Sequence, residues 1–188
     1  MAQHTHYFLA VPLPGHIKEL LTQWRDLLEP RLPFKSWVHP QDLHITLFFL
    51  GNASFSQINS VKQEVSEAVK QHSAFQLELN GIGTFGQKES PRIFLGGVNK
   101  SEQLVNLQKD ISKACERSGF KIESRPYNPH ITMARKWTSE QPFSIGNAEK
   151  IVFPKEEFSA FTVDKVVLYQ THLERTPKYQ PLSIFSFN

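Results

Sequence analysis

The tripeptide His-Ile-Thr occurs twice, at His44-Ile45-Thr46 and His130-Ile131-Thr132, separated by a little under half of the 188-residue chain. Each copy follows a turn marked by proline (Pro40 in the first case, Pro126 and Pro129 in the second). Each opens a run that reads as a strand, HITLFFL over 44–50 and HITMAR over 130–135. Along a strand residues i and i+2 share a face, so each histidine lies beside its own threonine while Ile45 and Ile131 point into an apolar layer. Two such strands facing each other across a groove bring two imidazoles and two hydroxyls into one small volume. Imidazole titrates near pH 6.5, so one ring can be neutral while its neighbour is protonated, as a paired general base and general acid require. Hydroxyls together with a cation hold a tetrahedral anion, which makes a phosphodiester the natural substrate. The rate is then expected to follow a bell in pH, with limbs on either side of neutrality.

The rest of the chain supplies strands and helices in irregular alternation. Tyr7–Val11 is a short apolar run stopped by Pro12 and Pro14. Ile17, Leu20, Leu21, Trp24, Leu27 and Leu28 follow helical spacing up to Pro30. A second helical face carries Ile58, Val61, Val65, Ala68 and Val69, and Ser54 with Gln57 offers a capping box at its start. Residues 75–83 alternate and residues 93–98 form another apolar run. Leu104, Leu107, Ile111, Ala114 and Cys115 make a third helical stripe, closed near Gly119. Residues 163–169 and 182–187 read as the last strands. The order is not a regular β-α-β-α series, so the expected class is α+β, with antiparallel or mixed sheets and helices packed on one side.

Composition removes several alternatives. One cysteine, Cys115, rules out a disulfide framework and a Cys-based zinc cluster, and its place on a helical stripe makes it a core residue. No run of 18 apolar residues occurs, and the first residues lack a basic flank and an adequate apolar stretch, so neither a span nor a secretory leader is expected. A cytoplasmic, cofactor-free protein that works as a monomer is the resulting expectation. The net charge of +3 permits a polyanionic partner without requiring one. Around the second tripeptide Arg117, Lys121, Arg125, Arg135 and Lys136 are interleaved with Tyr127 and Trp137, a pattern suited to an RNA end. The other histidines read as ordinary residues: His4 and His6 solvated, His39 in a turn, and His16, His72 and His172 on the surface.

The segments Phe8–Pro14, Leu43–Gly51, Pro129–Arg135 and Leu168–Tyr179 together resemble the two-histidine phosphoesterase superfamily, whose signature is His-x-Thr/Ser repeated twice. Within it the chain is most similar to the bacterial RNA 2',3'-cyclic phosphodiesterases, historically called 2'-5' RNA ligases, and the resemblance covers nearly the whole sequence. It implies one domain over residues 1–188, bilobal, with two antiparallel sheets and flanking helices related by a pseudo-twofold axis around the groove. It implies metal-independent opening of a ribose 2',3'-cyclic phosphate, on RNA ends or small cyclic nucleotides, to a 2'-phosphate. One histidine then activates water and the other protonates the departing 3'-oxygen, with His130 assigned as the base and His44 as the acid, an order the sequence leaves open; Thr46 and Thr132 bind non-bridging oxygens, and Arg135 matches a basic position of the second motif. By strict alternation Arg135 points away from His130, so the assignment needs a bulge or a side chain reaching round the strand end. Where many relatives carry Ser in a late Leu-x-x-Ser-x-Leu segment this chain has Thr171, a conservative departure. Other readings are reversible 2'-5' ligation of RNA, a nucleotide-binding module of the same fold without turnover, and a metallo-phosphoesterase. The last is disfavoured because no Asp/Glu ligand motif accompanies the two histidines.

Overall fold

The computed structural model describes residues 5–149 and 159–188. In chain order the elements are β1 (His6–Pro12), α1 (Gly15–Leu28), β2 (Phe34–Trp37), a single 3-10 turn (Pro40–Asp42), β3 (His44–Asn52), α2 (Phe55–Val69), β4 (Phe75–Gly86) and β5 (Pro91–Val98). They continue with α3 (Glu102–Arg117), β6 (His130–Trp137), α4 (Ile145–Glu149), β7 (Ala160–Val163), β8 (Lys165–Thr171) and β9 (Tyr179–Ser186). All strand pairings are antiparallel. The class is α+β, as the irregular element order requires.

Strand order runs β7-β4-β5-β6-β3-β1-β8-β9, with β2 added alongside β6. Apart from β2, four antiparallel strands lie on each side of the seam between β6 and β3. The halves join through one pair, Ile45 opposite Ile131, both fully buried. Two sheets were expected; here they meet edge to edge at that pair and form one hydrogen-bonded path.

Helices cover the face to which the isoleucines point. Leu21 of α1 packs into the space that Gly96 of β5 leaves open, beside Met133 of β6. On the other half α2 and α3 pack together, and α3 lies against β3. The capping box of α2 is present in both directions, Ser54 accepting from the Gln57 N–H while the Gln57 side chain accepts from the Ser54 N–H. Ile17, Leu21, Trp24 and Leu28 are the buried stripe of α1; Leu27, expected on that stripe, is exposed.

Other elements differ from the sequence reading as well. The run expected over 163–169 is two strands, β7 and β8, parted at Asp164. The last strand begins at Tyr179, and β2 and the short α4 were not foreseen. Four residues of β2, set between proline-rich turns, become a strand by pairing with β6.

Candidate active site

His44 and His130 are the first residues of β3 and β6, on either side of the seam, and each ring is anchored in the same way. The Nδ1 of His44 lies 2.7 Å from the Asp42 carbonyl, and the Nδ1 of His130 lies 2.8 Å from the Asn128 carbonyl, in both cases two residues upstream. A carbonyl only accepts, so each Nδ1 carries the proton and each Nε2 presents a lone pair. The Nε2 of His44 accepts from the Thr46 hydroxyl at 3.0 Å. For His130 no Nε2 partner is found among the described residues, which leaves its lone pair available.

Both strands break their alternation at the same place. In β3, Thr46 and Phe48 face consecutive residues of β1, so Leu47 is an extra residue; in β6, Thr132 and Ala134 face consecutive residues of β5, so Met133 is extra. A bulge of this kind resets which residues share a face. Leu47 and Phe48 are both buried, as are Met133 and Ala134. The next residue in each copy, Phe49 and Arg135, therefore returns to the side of the histidine and threonine, and both are exposed. The bulge that the Arg135 assignment needed is present. Its displaced carbonyls are satisfied, Met133 O by the Val38 N–H at 2.8 Å and Leu47 O by the Gln108 side-chain amide at 3.4 Å.

Around His44 the walls are aromatic. Phe8 lies 4.7 Å away centroid to centroid, Tyr179 meets the ring edge-on at 5.3 Å, and Tyr169 stands at 6.2 Å. Phe85 meets His130 edge-on at 4.7 Å. This burial, reinforced by the Arg135 guanidinium and His130, and opposed by the Asp42 carbonyl and carboxylate, depresses the His44 pKa to about 4. His130 is also depressed, by burial first and by Arg135, against the Asn128 carbonyl. Arg135 thus acts electrostatically on both imidazoles and on the Tyr179 hydroxyl. Tyr127, three residues before His130, donates its hydroxyl to the Thr46 carbonyl at 3.1 Å and ties one motif to the other.

His44, Thr46, His130, Thr132 and Arg135 all stand at the seam, on the face of the sheet opposite Ile45 and Ile131. The wider basic cluster does not assemble. Arg117 pairs with Glu64 of α2 and Arg125 with Glu123. Trp137 packs edge-on against Phe34 and Phe143, and Tyr127 is committed to Thr46. Sequence reading missed Asp42, Phe49, Phe85 and Tyr179. The bulge positions would have been the only signal for Phe49, since the same offset from the histidine leads to Arg135. Cys115 is fully buried on α3, and burial pushes its thiol up to about 12. His39 accepts from the Gln41 N–H at 3.2 Å, His6 lies edge-on to Phe49, and His72 sits against Asp110 between α2 and α3. His4 lies outside the described residues. Among the described residues no group of three or more His, Cys, Asp or Glu could hold a metal, and no helix is long and apolar enough to cross a membrane.

Paired His-x-Thr strands that meet at one seam of an antiparallel scaffold define the two-histidine phosphoesterase class. A family model described as the 2'-5' RNA ligase superfamily matches residues 13–175, and the chain belongs to that family. A Geobacillus stearothermophilus protein named RNA 2',3'-cyclic phosphodiesterase is 38% identical over 97% of this chain, which spans 57% of that relative's length. A Bacillus subtilis (strain 168) protein of the same name is 37% identical over 97% of this chain and 95% of its own length. The crystal structure of Escherichia coli LigT complexed with 3'-AMP shares the fold at a TM-score of 0.79, with 24% identity and 99% of both chains covered. The crystal structure of a Thermus thermophilus protein, TT0787, shares it at 0.77, with 22% identity, 96% of this chain and 97% of its own.

Proposed function

We propose that the chain opens ribose 2',3'-cyclic phosphates, on RNA ends or on small cyclic nucleotides, to 2'-phosphates. One observation carries this reading: two imidazoles held by the same main-chain grip, each with Nε2 free of any carbonyl, lie on either side of one seam within the electrostatic reach of one guanidinium, that of Arg135. The names of the Geobacillus and Bacillus relatives support it. In the proposed reaction His130 Nε2 takes a proton from water as the water oxygen attacks phosphorus. The bond from phosphorus to O3' breaks, and O3' takes its proton from Nε2 of protonated His44. Thr46, Thr132 and Arg135 hold the non-bridging oxygens, a role for which a planar, permanently charged fork is well suited. Residues 1–188 form one domain of two pseudo-symmetric halves, each giving one His-x-Thr. One chain carries every group the reaction uses, so a monomer suffices, and cytoplasmic RNA fragments and nucleotides are its substrates.

The test uses RNA ending in a 2',3'-cyclic phosphate, with EDTA present, and identifies the product isomer. The expected product is the 2'-phosphate, with turnover lost in His44→Ala and in His130→Ala. A 3'-phosphate product, or full turnover by both variants, would overturn the reading. A 5'-hydroxyl in place of water would turn the same steps into 2'-5' ligation, the reading that the family description favours as second. Adding a 5'-hydroxyl RNA to the same assay reads both outcomes.

A further inference from the structure

The two copies of the motif hold their hydroxyls differently. In the first, the Thr46 hydroxyl lies 3.0 Å from His44 Nε2. In the second, His130 Nε2 and the Thr132 hydroxyl share no such bond among the described residues, although both rings are held at Nδ1 by a main-chain carbonyl. The direction of the first bond follows from the grip on the ring. His44 Nδ1 stands 2.7 Å from the Asp42 carbonyl, so it carries the proton and Nε2 accepts. Asp42 is itself tied down: its buried carboxylate takes the Lys178 N–H at 2.9 Å on Oδ2 and the Tyr179 N–H at 3.0 Å on Oδ1. Phe8 at 4.7 Å and Tyr179 edge-on at 5.3 Å enclose the imidazole and oppose a flip.

A threonine hydroxyl has one proton to donate. While His44 is neutral that proton is committed to Nε2, and turning it to an anion strands a buried lone pair at a cost similar to the bond gained. A proton arriving at Nε2 reverses the bond. The ring N–H then donates to Thr46 Oγ1, and the hydroxyl proton turns outward to another acceptor. The Thr46 carbonyl, accepting from the Tyr127 hydroxyl at 3.1 Å, holds the strand while the hydroxyl turns. Thr132 is under no such constraint, whatever the charge of its own histidine.

We propose that the two threonines are unequal phosphate ligands: Thr132 donates to the anion at all times, whereas Thr46 does so only once His44 has taken up its second proton. The acid side of the site therefore grips a phosphate oxygen only when the acid is loaded. The proposal rests on the functional reading for its use in turnover, but the claim concerns anion binding, which needs no turnover to test. Sulfate is the probe, because it is tetrahedral and stays a dianion between pH 5 and pH 9, so that changes in affinity belong to the protein. A bound dianion draws the His44 pKa up from about 4 into this range. The charged or titratable groups facing His44 are the Asp42 carboxylate, Arg135 and His130 of β6, Tyr169 of β8 and Tyr179 of β9, while β1 presents Phe8. Burial raises both tyrosines, which stay neutral here, and the other groups act alike on wild type and variant and cancel in their ratio.

In calorimetric titrations Thr132→Val is expected to bind sulfate roughly tenfold more weakly than wild type at both pH 5 and pH 9, the worth of one hydrogen bond to a charged group. Thr46→Val is expected to lose that factor at pH 5 and less than about twofold at pH 9. Thr46→Ser keeps a hydroxyl and should follow wild type at both. Valine suits a strand, and Thr46→Ala repeats the comparison should valine disturb β3. A Thr46→Val loss equal at the two pH values, a Thr132→Val loss confined to pH 5, or no sulfate binding by wild type at either would overturn the proposal. Wild type that binds sulfate in the expected pattern but turns over no cyclic phosphate would refute the functional reading alone.

Discussion

Charging His44 in the free protein is expected to be hard, and the difficulty should be visible in the pH dependence of the rate. Burial, followed by Arg135 and His130, brings the imidazole from its ordinary 6.5 to about 4. At about 1.4 kcal/mol per unit, protonation costs about 3 kcal/mol more than in water, and on the order of one molecule in a thousand carries that proton at pH 7. His130 is depressed as well, so both groups that set kcat/KM titrate below their ordinary values. The bell in kcat/KM is thus expected to peak on the acid side of neutrality, not across it as the residue types alone suggest. A phosphodiester monoanion at about 4 Å, at an effective dielectric of about 20, attracts an imidazolium by about 4 kcal/mol, enough to offset that cost. The profile of kcat, which reports the substrate-bound site, should accordingly lie roughly 2 pH units above that of kcat/KM. Steady-state hydrolysis of 2',3'-cyclic AMP between pH 4 and 9 separates the two profiles, and NMR titration of the imidazoles of the free protein reads His44 directly. A kcat/KM maximum at or above pH 7, or a free His44 that titrates above 6, would refute the reasoning.

The same depression has a consequence for folding: between pH 6.5 and 4 the unfolded chain takes up a proton that folded His44 refuses. Stability therefore falls as the pH is lowered through that window, by at most about 3 kcal/mol from this residue, and urea unfolding of His44→Gln should show a shallower acid slope. Arg135→Gln is expected to lower kcat/KM roughly 10- to 150-fold, the worth of a charged hydrogen bond, while raising the pKa of both histidines in the NMR titration. Gly97, opposite His130 in the β5–β6 register, has no room for a side chain, since a Cβ there would meet the Asn80 carbonyl at 2.5 Å. Gly97→Ala should cost about 1–3 kcal/mol in thermal or urea unfolding through overpacking, with His130 displaced and turnover reduced.

Much of this site could be read from the chain because the relevant signals are local. The histidine and threonine of each motif share a face by the two-residue period, and the capping box of α2 lies within four residues. The stripes of α1 and α3 follow helical spacing. What was hidden depends on partners far along the chain. Asp42 gains its meaning from Lys178 and Tyr179, more than a hundred residues away, and β2 is a strand only because β6 is beside it. Arg117 and Arg125 look like a basic patch in one dimension. In three, Glu64 of the neighbouring helix and nearby Glu123 neutralise them. The need for a bulge before Arg135 could be stated from parity alone, but its recurrence in β3, and hence the groove position of Phe49, required the strand register.

That recurrence settles a problem of direction. A scaffold with four antiparallel strands on each side of the seam, and the same tripeptide on each central strand, offers a ligand two related ways to lie down. The extra residue in each strand places one side chain at matching ends of the groove, a guanidinium at Arg135 and a phenyl ring at Phe49, 58% exposed. The site thereby acquires a compass, its polarity written in the identity of these two side chains as well as in β2, which flanks β6 alone.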